Sequence, residues 1–76
     1  MAQALAFDAQ RTAQRALASS PVYALRELRV DRVGERLRIR GRVSSFYHKQ
    51  LAQETVREAT QQIDLENAVD VRETPS

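Results

Sequence analysis

The 76-residue chain contains no cysteine, two glycines, two prolines and a single lysine, Lys49. Without cysteine there are no disulfides and no cysteine-ligated zinc sites, and nothing marks an oxidising compartment. No apolar run approaches the ~20 residues that a membrane-spanning helix needs. The first residues, Met1-Ala2-Gln3-Ala4-Leu5-Ala6-Phe7-Asp8, lack a basic stretch and meet Asp8 too early for a signal-peptide core. The expected location is therefore the cytoplasm, with peripheral contact at a membrane left open. Gly-rich phosphate loops, histidine pairs and nucleophile motifs are missing as well. A binding module with no catalytic residues, no cofactor and no metal is the expectation, because a ligand-sized pocket is hard to fit inside so short a chain.

What the chain has is arginine. Eleven of its 12 basic residues are Arg, set against 10 acidic ones, for a net charge of +2 and a pI near 9.7. The charge is unevenly spread. Between Arg26 and Arg42 seven arginines face three acids, an excess of four, whereas the rest of the chain carries two more acids than bases. With 42% hydrophobic and 29% charged residues, the composition suits one soluble globular domain over residues 1–76, with its core at about 7–72 and a flexible tail at 73–76. A domain this small buries roughly 60% of its unfolded surface, so its stability is marginal.

Residues 2–19 are rich in Ala and Gln, which favour helix, and Leu5, Ala6, Ala9, Ala13, Ala16 and Leu17 form a weak apolar stripe. Ser19-Ser20-Pro21 closes this helix, since proline has no N–H to donate and disfavours helical geometry before it. The period then changes. Leu28 and Val30 alternate with Arg29 and Asp31, Gly34-Glu35 marks a turn, and Leu37, Ile39, Gly41 and Val43 alternate with Arg36, Arg38, Arg40 and Arg42. The two strands pair as an antiparallel hairpin. Ser44-Ser45 caps a second helix running to about Gln62, with Leu51, Ala52, Thr55, Val56, Ala59 and Ile63 on its buried stripe. Leu65 to Val71 alternates again as a third strand. The order α-β-β-α-β predicts an α+β two-layer sandwich, two helices on one face of a three-stranded sheet, with a right-handed crossover between the last two strands. These patterns leave the strand order open.

Period two places Arg36, Arg38, Arg40 and Arg42 on one strand face, about 7 Å apart along the strand. Guanidinium groups bind phosphate bidentately, so this row is a candidate surface for an anionic phospholipid layer. The plainer reading is a solvated sheet face whose arginines pair with Glu66 or Asp70. Phe46, Tyr47 and His48 follow at the helix start. Exposed, Phe46 or Tyr47 could dip into a membrane interface. The simpler expectation is that one ring staples the helix start into the core while the other shields the sheet edge. His48 reads as a partly exposed helix residue. Gly41 reads as a site where a helix approaches the sheet, and Asn67 as an inward polar group tying the third strand to a helix cap or turn.

The segment from Ala24 to Arg72 resembles a BON domain, a small bacterial module of osmotically inducible and nodulation-related proteins. Leu37-Arg38-Ile39-Arg40-Gly41-Arg42-Val43 matches the family's apolar-x-apolar-x-Gly-x-Val strand. Ser44 to Gln53 matches its polar helix start and Lys-x-x-Ala helix, and Leu65-Glu66-Asn67-Ala68-Val69-Asp70-Val71 its closing strand. Two positions depart from the pattern. The hairpin glycine is Gly34, where the family has it one residue later, and Gln61-Gln62 stands where a Gly-Val pair is usual, which alters the helix C-cap. The resemblance implies the α-β-β-α-β fold and a non-enzymatic module that binds phospholipid membranes or other proteins. The sheet edges and small core allow self-association as an alternative. Nucleic-acid binding is the weaker third, because no aromatic side chains interleave with the Arg row and no Gly-x-x-Gly clamp occurs.

Overall fold

A computed structural model describes residues 2–60 and 63–72. The expected tail at 73–76 and the helix C-cap at Gln61-Gln62 lie outside the described residues. The elements are helix α1 (Ala2–Ala18), a 3-10 turn at Tyr23–Leu25, strands β1 (Arg29–Val33) and β2 (Arg36–Val43), helix α2 (Phe46–Thr60) and strand β3 (Leu65–Val71). The α-β-β-α-β order read from the periodicity is the order observed. No helix among the described residues is long and apolar enough to cross a membrane.

β2 is the centre of the sheet, with the order β1-β2-β3. β1 pairs with it antiparallel, Val30 opposite Ile39, and β3 pairs with it parallel, Ile39 opposite Asn67. Gly34 opens the two-residue hairpin loop at φ 65°. No atom lies near its missing Cβ, so what this turn requires is the positive φ. Ser45 caps α2, its Oγ accepting the His48 N–H at 3.2 Å.

The core lies between the helices and one sheet face. α1 contributes Ala9, Ala13 and Leu17, and α2 contributes Ala52 and Val56. The sheet contributes Val30, Leu37, Ile39, Val43 and Val69, while Leu25 and Leu28 plug the approach to β1. The alanine stripe of α1 lets that helix sit close. Leu51, Ile63, Leu65 and Val71 are half-buried at the margin.

α1 also covers the free edge of β1. Gln14 Oε1 accepts the Val30 N–H at 2.8 Å, Gln14 Nε2 donates to the Leu28 carbonyl at 2.9 Å, and Gln10 Nε2 donates to the Val30 carbonyl at 3.0 Å. Edge groups that would otherwise invite another strand are thereby occupied. Gln14→Leu strands one half-buried donor and one acceptor, and an unmade bond of this kind costs about 1–3 kcal/mol. We expect a loss of about 2 kcal/mol in urea denaturation, together with faster hydrogen exchange at the Val30 amide. Unchanged exchange there would show that the glutamine bonds do not hold the edge.

Candidate functional site

The sheet face away from the helices is open, and the register decides what stands on it. β2 supplies Arg36, Arg38, Arg40 and Arg42, β1 supplies Arg29, Asp31 and Val33, and β3 supplies Glu66, Ala68 and Asp70, with Arg72 next in alternation. Arg72 extends the ladder, its N–H donating to the Val43 carbonyl at 2.8 Å. Six arginines therefore meet three acids, an excess of three positive charges.

The pairing is uneven along the row. Arg36 Nη2 lies 3.8 Å from one Glu66 oxygen and Arg38 Nε 3.2 Å from the other, so two guanidinium groups share one carboxylate. Arg38 Nε makes this approach without the alignment of a hydrogen bond. Arg40 has Arg29 directly opposite and turns diagonally to Asp31, which accepts its Nε–H. Arg42 has Asp70 opposite, but Asp70 is held by Arg72 Nε at 2.9 Å. Arg42 and Arg29 thus have no ion-pair partner among the described residues. Of the four arginines singled out by strand period, Arg36 and Arg38 pair with Glu66 as the plain reading expects, Arg40 pairs with Asp31 on β1 instead, and Arg42 has no ion-pair partner among the described residues.

All these ion pairs are substantially exposed, with side chains 40–65% accessible. Exposed pairs contribute about 0–1 kcal/mol each. They are weak enough for a phosphate to compete with the carboxylate for the same guanidinium.

The surplus sits at one end of the sheet. Arg29 begins β1 and Arg42 lies next to the end of β2, at the same end by register. The chain then passes through Ser44-Ser45 into Phe46 and Tyr47. Both rings are exposed, Phe46 at 72% and Tyr47 at 68%. This corrects the expectation that one of them staples the helix start. The physical reason is helical phase. At 100° per residue, Phe46 and Tyr47 lie about 120° and 140° around the helix from Ala52, which marks the buried face. Tyr47 instead stands beside His48, ring centroids 5.7 Å apart. His48 is half-buried, and its Nδ1 has no hydrogen-bond partner among the described residues. A third exposed ring, Tyr23, packs against its own neighbour, with the Arg26 guanidinium 5.3 Å from its centroid.

Gly41 and Asn67 hold the frame around this face. A Cβ on Gly41 would meet Leu28 Cδ2 at 2.6 Å and Leu28 Cα at 3.5 Å. The close approach expected there comes from the segment leading into β1, and a helix plays no part in it. Asn67 donates through Nδ2 to the Lys49 carbonyl at 2.9 Å and to Gln53 Oε1 at 3.2 Å, and its Oδ1 accepts the Val69 N–H at 3.2 Å. It ties β3 to the body of α2.

A surface groove of about 290 Å³ runs along α2, bordered by Phe46, Lys49, Gln50, Gln53, Glu54, Arg57 and Asn67. Its walls are mostly exposed side chains and present no convergent buried polar groups. Among the described residues no group of His, Asp or Glu is placed to hold a metal ion. Sequence reasoning missed Arg29, because its face is set by strand pairing, and misjudged Phe46. Comparison with family models, with curated proteins and with solved structures finds no match.

Proposed function

We propose that the chain is a non-enzymatic, BON-like binding module that docks its open sheet face on an anionic phospholipid surface. The observation that carries this reading is the excess of three positive charges on one exposed face, with Arg29 and Arg42 unpaired at the end of the sheet from which the chain leads into the exposed Phe46 and Tyr47. Each basic group near an anionic bilayer contributes about 1 kcal/mol, so an excess of three gives about two orders of magnitude of enrichment at the surface. Phe46 and Tyr47 add apolar area of the kind that settles at the headgroup level. The element order agrees with the family resemblance, and the Leu37–Val43 and Leu65–Val71 motifs fall on β2 and β3. A nucleic-acid backbone offers the same phosphate chemistry, but the basic face carries no aromatic side chain on which a base could stack.

Co-sedimentation with vesicles tests the reading. The chain is expected to pellet with phosphatidylcholine vesicles that contain phosphatidylglycerol and to stay in solution with phosphatidylcholine alone. Bound protein should fall as salt rises, because surface charges are screened beyond about 8 Å at physiological ionic strength. Equal, negligible pelleting with both vesicle types refutes the lipid reading.

A further inference from the structure

The two edges of the sheet are treated differently. The free edge of β1 is closed by Gln10 and Gln14 through three hydrogen bonds to Leu28 and Val30. On β3 the parallel ladder turns the main-chain groups of even-numbered residues to β2, as the Asp64 carbonyl and the Arg72 N–H show. Leu65, Asn67, Val69 and Val71 therefore point theirs outward. The only hydrogen bond to that outward row among the described residues is the one from the Val69 N–H to Asn67 Oδ1. The exposed Phe46 borders a groove with Asn67 beside this strand. An open edge next to an uncovered aromatic ring is a site for strand addition.

We infer that β3 pairs antiparallel with β3 of a second copy of this chain, about a two-fold axis at Val69. Charge selects the occupant and the register. In this register Glu66 stands directly opposite Arg72 of the second copy, and Arg72 opposite its Glu66, while Ala68 leaves room for Asp70. Shifting the axis to Ala68 brings Glu66 against Asp70 of the other copy, and shifting it to Asp70 brings that residue against itself. Like charges directly opposite destabilise a pair, and opposite charges support it. Pairing from Asn67 to Val71 forms about six interchain main-chain hydrogen bonds. It releases the Val69 N–H from Asn67, which keeps its bonds to Lys49 and Gln53. The result is a six-stranded sheet with both arginine faces on the same side. The pairing does not rest on lipid binding and is measured without vesicles.

Sedimentation equilibrium tests it with charge reversals at two exposed positions. The native chain is expected to dimerise reversibly. Glu66→Arg and Arg72→Glu each set like charges opposite one another twice, and each should weaken the dimer about tenfold or more. An equimolar mixture of the two variants restores both opposite-charge pairs in a heterodimer and should recover near-native association. A native chain that remains monomeric up to millimolar concentration overturns the inference, as does a mixture that associates no better than either variant alone. Hydrogen exchange of the native chain gives an independent reading. The Asn67 and Val71 amides should gain protection as concentration rises, and concentration-independent exchange there contradicts the pairing.

Discussion

Gly41→Ala is expected to destabilise the fold by about 2–6 kcal/mol, combining about 1–3 for an unfavourable backbone conformation and about 1–3 for overpacking. Gly41 lies at φ 136°, a region that side-chain-bearing residues rarely enter. The added methyl would stand 2.6 Å from Leu28 Cδ2. A side-chain end can often swing aside, but Leu28 is 1% exposed within the core cluster and has nowhere to go. Domains of this size sit near the lower end of about 5–15 kcal/mol of total stability. The loss should lower the midpoint of thermal unfolding by more than about 10 °C. Gly34→Ala provides the comparison. Its φ is also positive, at 65°, but no atom lies within 4 Å of the added group. It should cost only about 1–2 kcal/mol, the backbone penalty alone. Circular dichroism melts of the two variants measure the difference, and equal losses would show that the contact with Leu28 is not what makes Gly41 necessary.

The second large effect concerns the open face. Removing Arg29 and Arg42 together, as the double alanine variant, is expected to weaken binding to phosphatidylglycerol vesicles about 30-fold at physiological ionic strength, from about 1 kcal/mol per basic group. These two arginines have no carboxylate partner among the described residues, so their loss leaves no acid newly unpaired and should barely alter stability. Arg11→Ala with Arg15→Ala removes the same net charge from exposed positions on α1, in the layer on the other side of the sheet. That variant should bind within about threefold of the native chain, because screening confines the attraction to charges near the membrane. Equal losses in the two double variants would mean that net charge alone drives binding and that the sheet face has no special part in it.

Much of the fold was legible because the sequence changes period cleanly. Strict alternation from Arg36 to Val43 marks β2, Ser45 marks the start of α2, and the closing alternation marks β3. The Arg row was legible for the same reason. Its electrostatics were not, because they depend on which strands are neighbours. Asp31 reaches Arg40 only because β1 lies beside β2, and Arg42 stays unpaired only because Asp70 turns along its own strand to Arg72. Arg29 joins the face through the same register. Tertiary contacts also decide the roles of Gln10 and Gln14. On a helix they read as solvated polar residues, yet they close the edge of β1. Phe46 and Tyr47 suggested a staple by composition, and their helical phase relative to Ala52 directs them to solvent.

The surface that meets lipid can be mapped residue by residue. Backbone and arginine side-chain NMR signals would be followed while bicelles containing phosphatidylglycerol are added to the native chain. The largest changes are expected at Arg29, Arg40, Arg42, Phe46 and Tyr47, with smaller ones at Arg36 and Arg38, and none with bicelles of phosphatidylcholine alone. Changes centred on α1, or no change with the anionic bicelles, would contradict the assignment of the open arginine face as the site of contact.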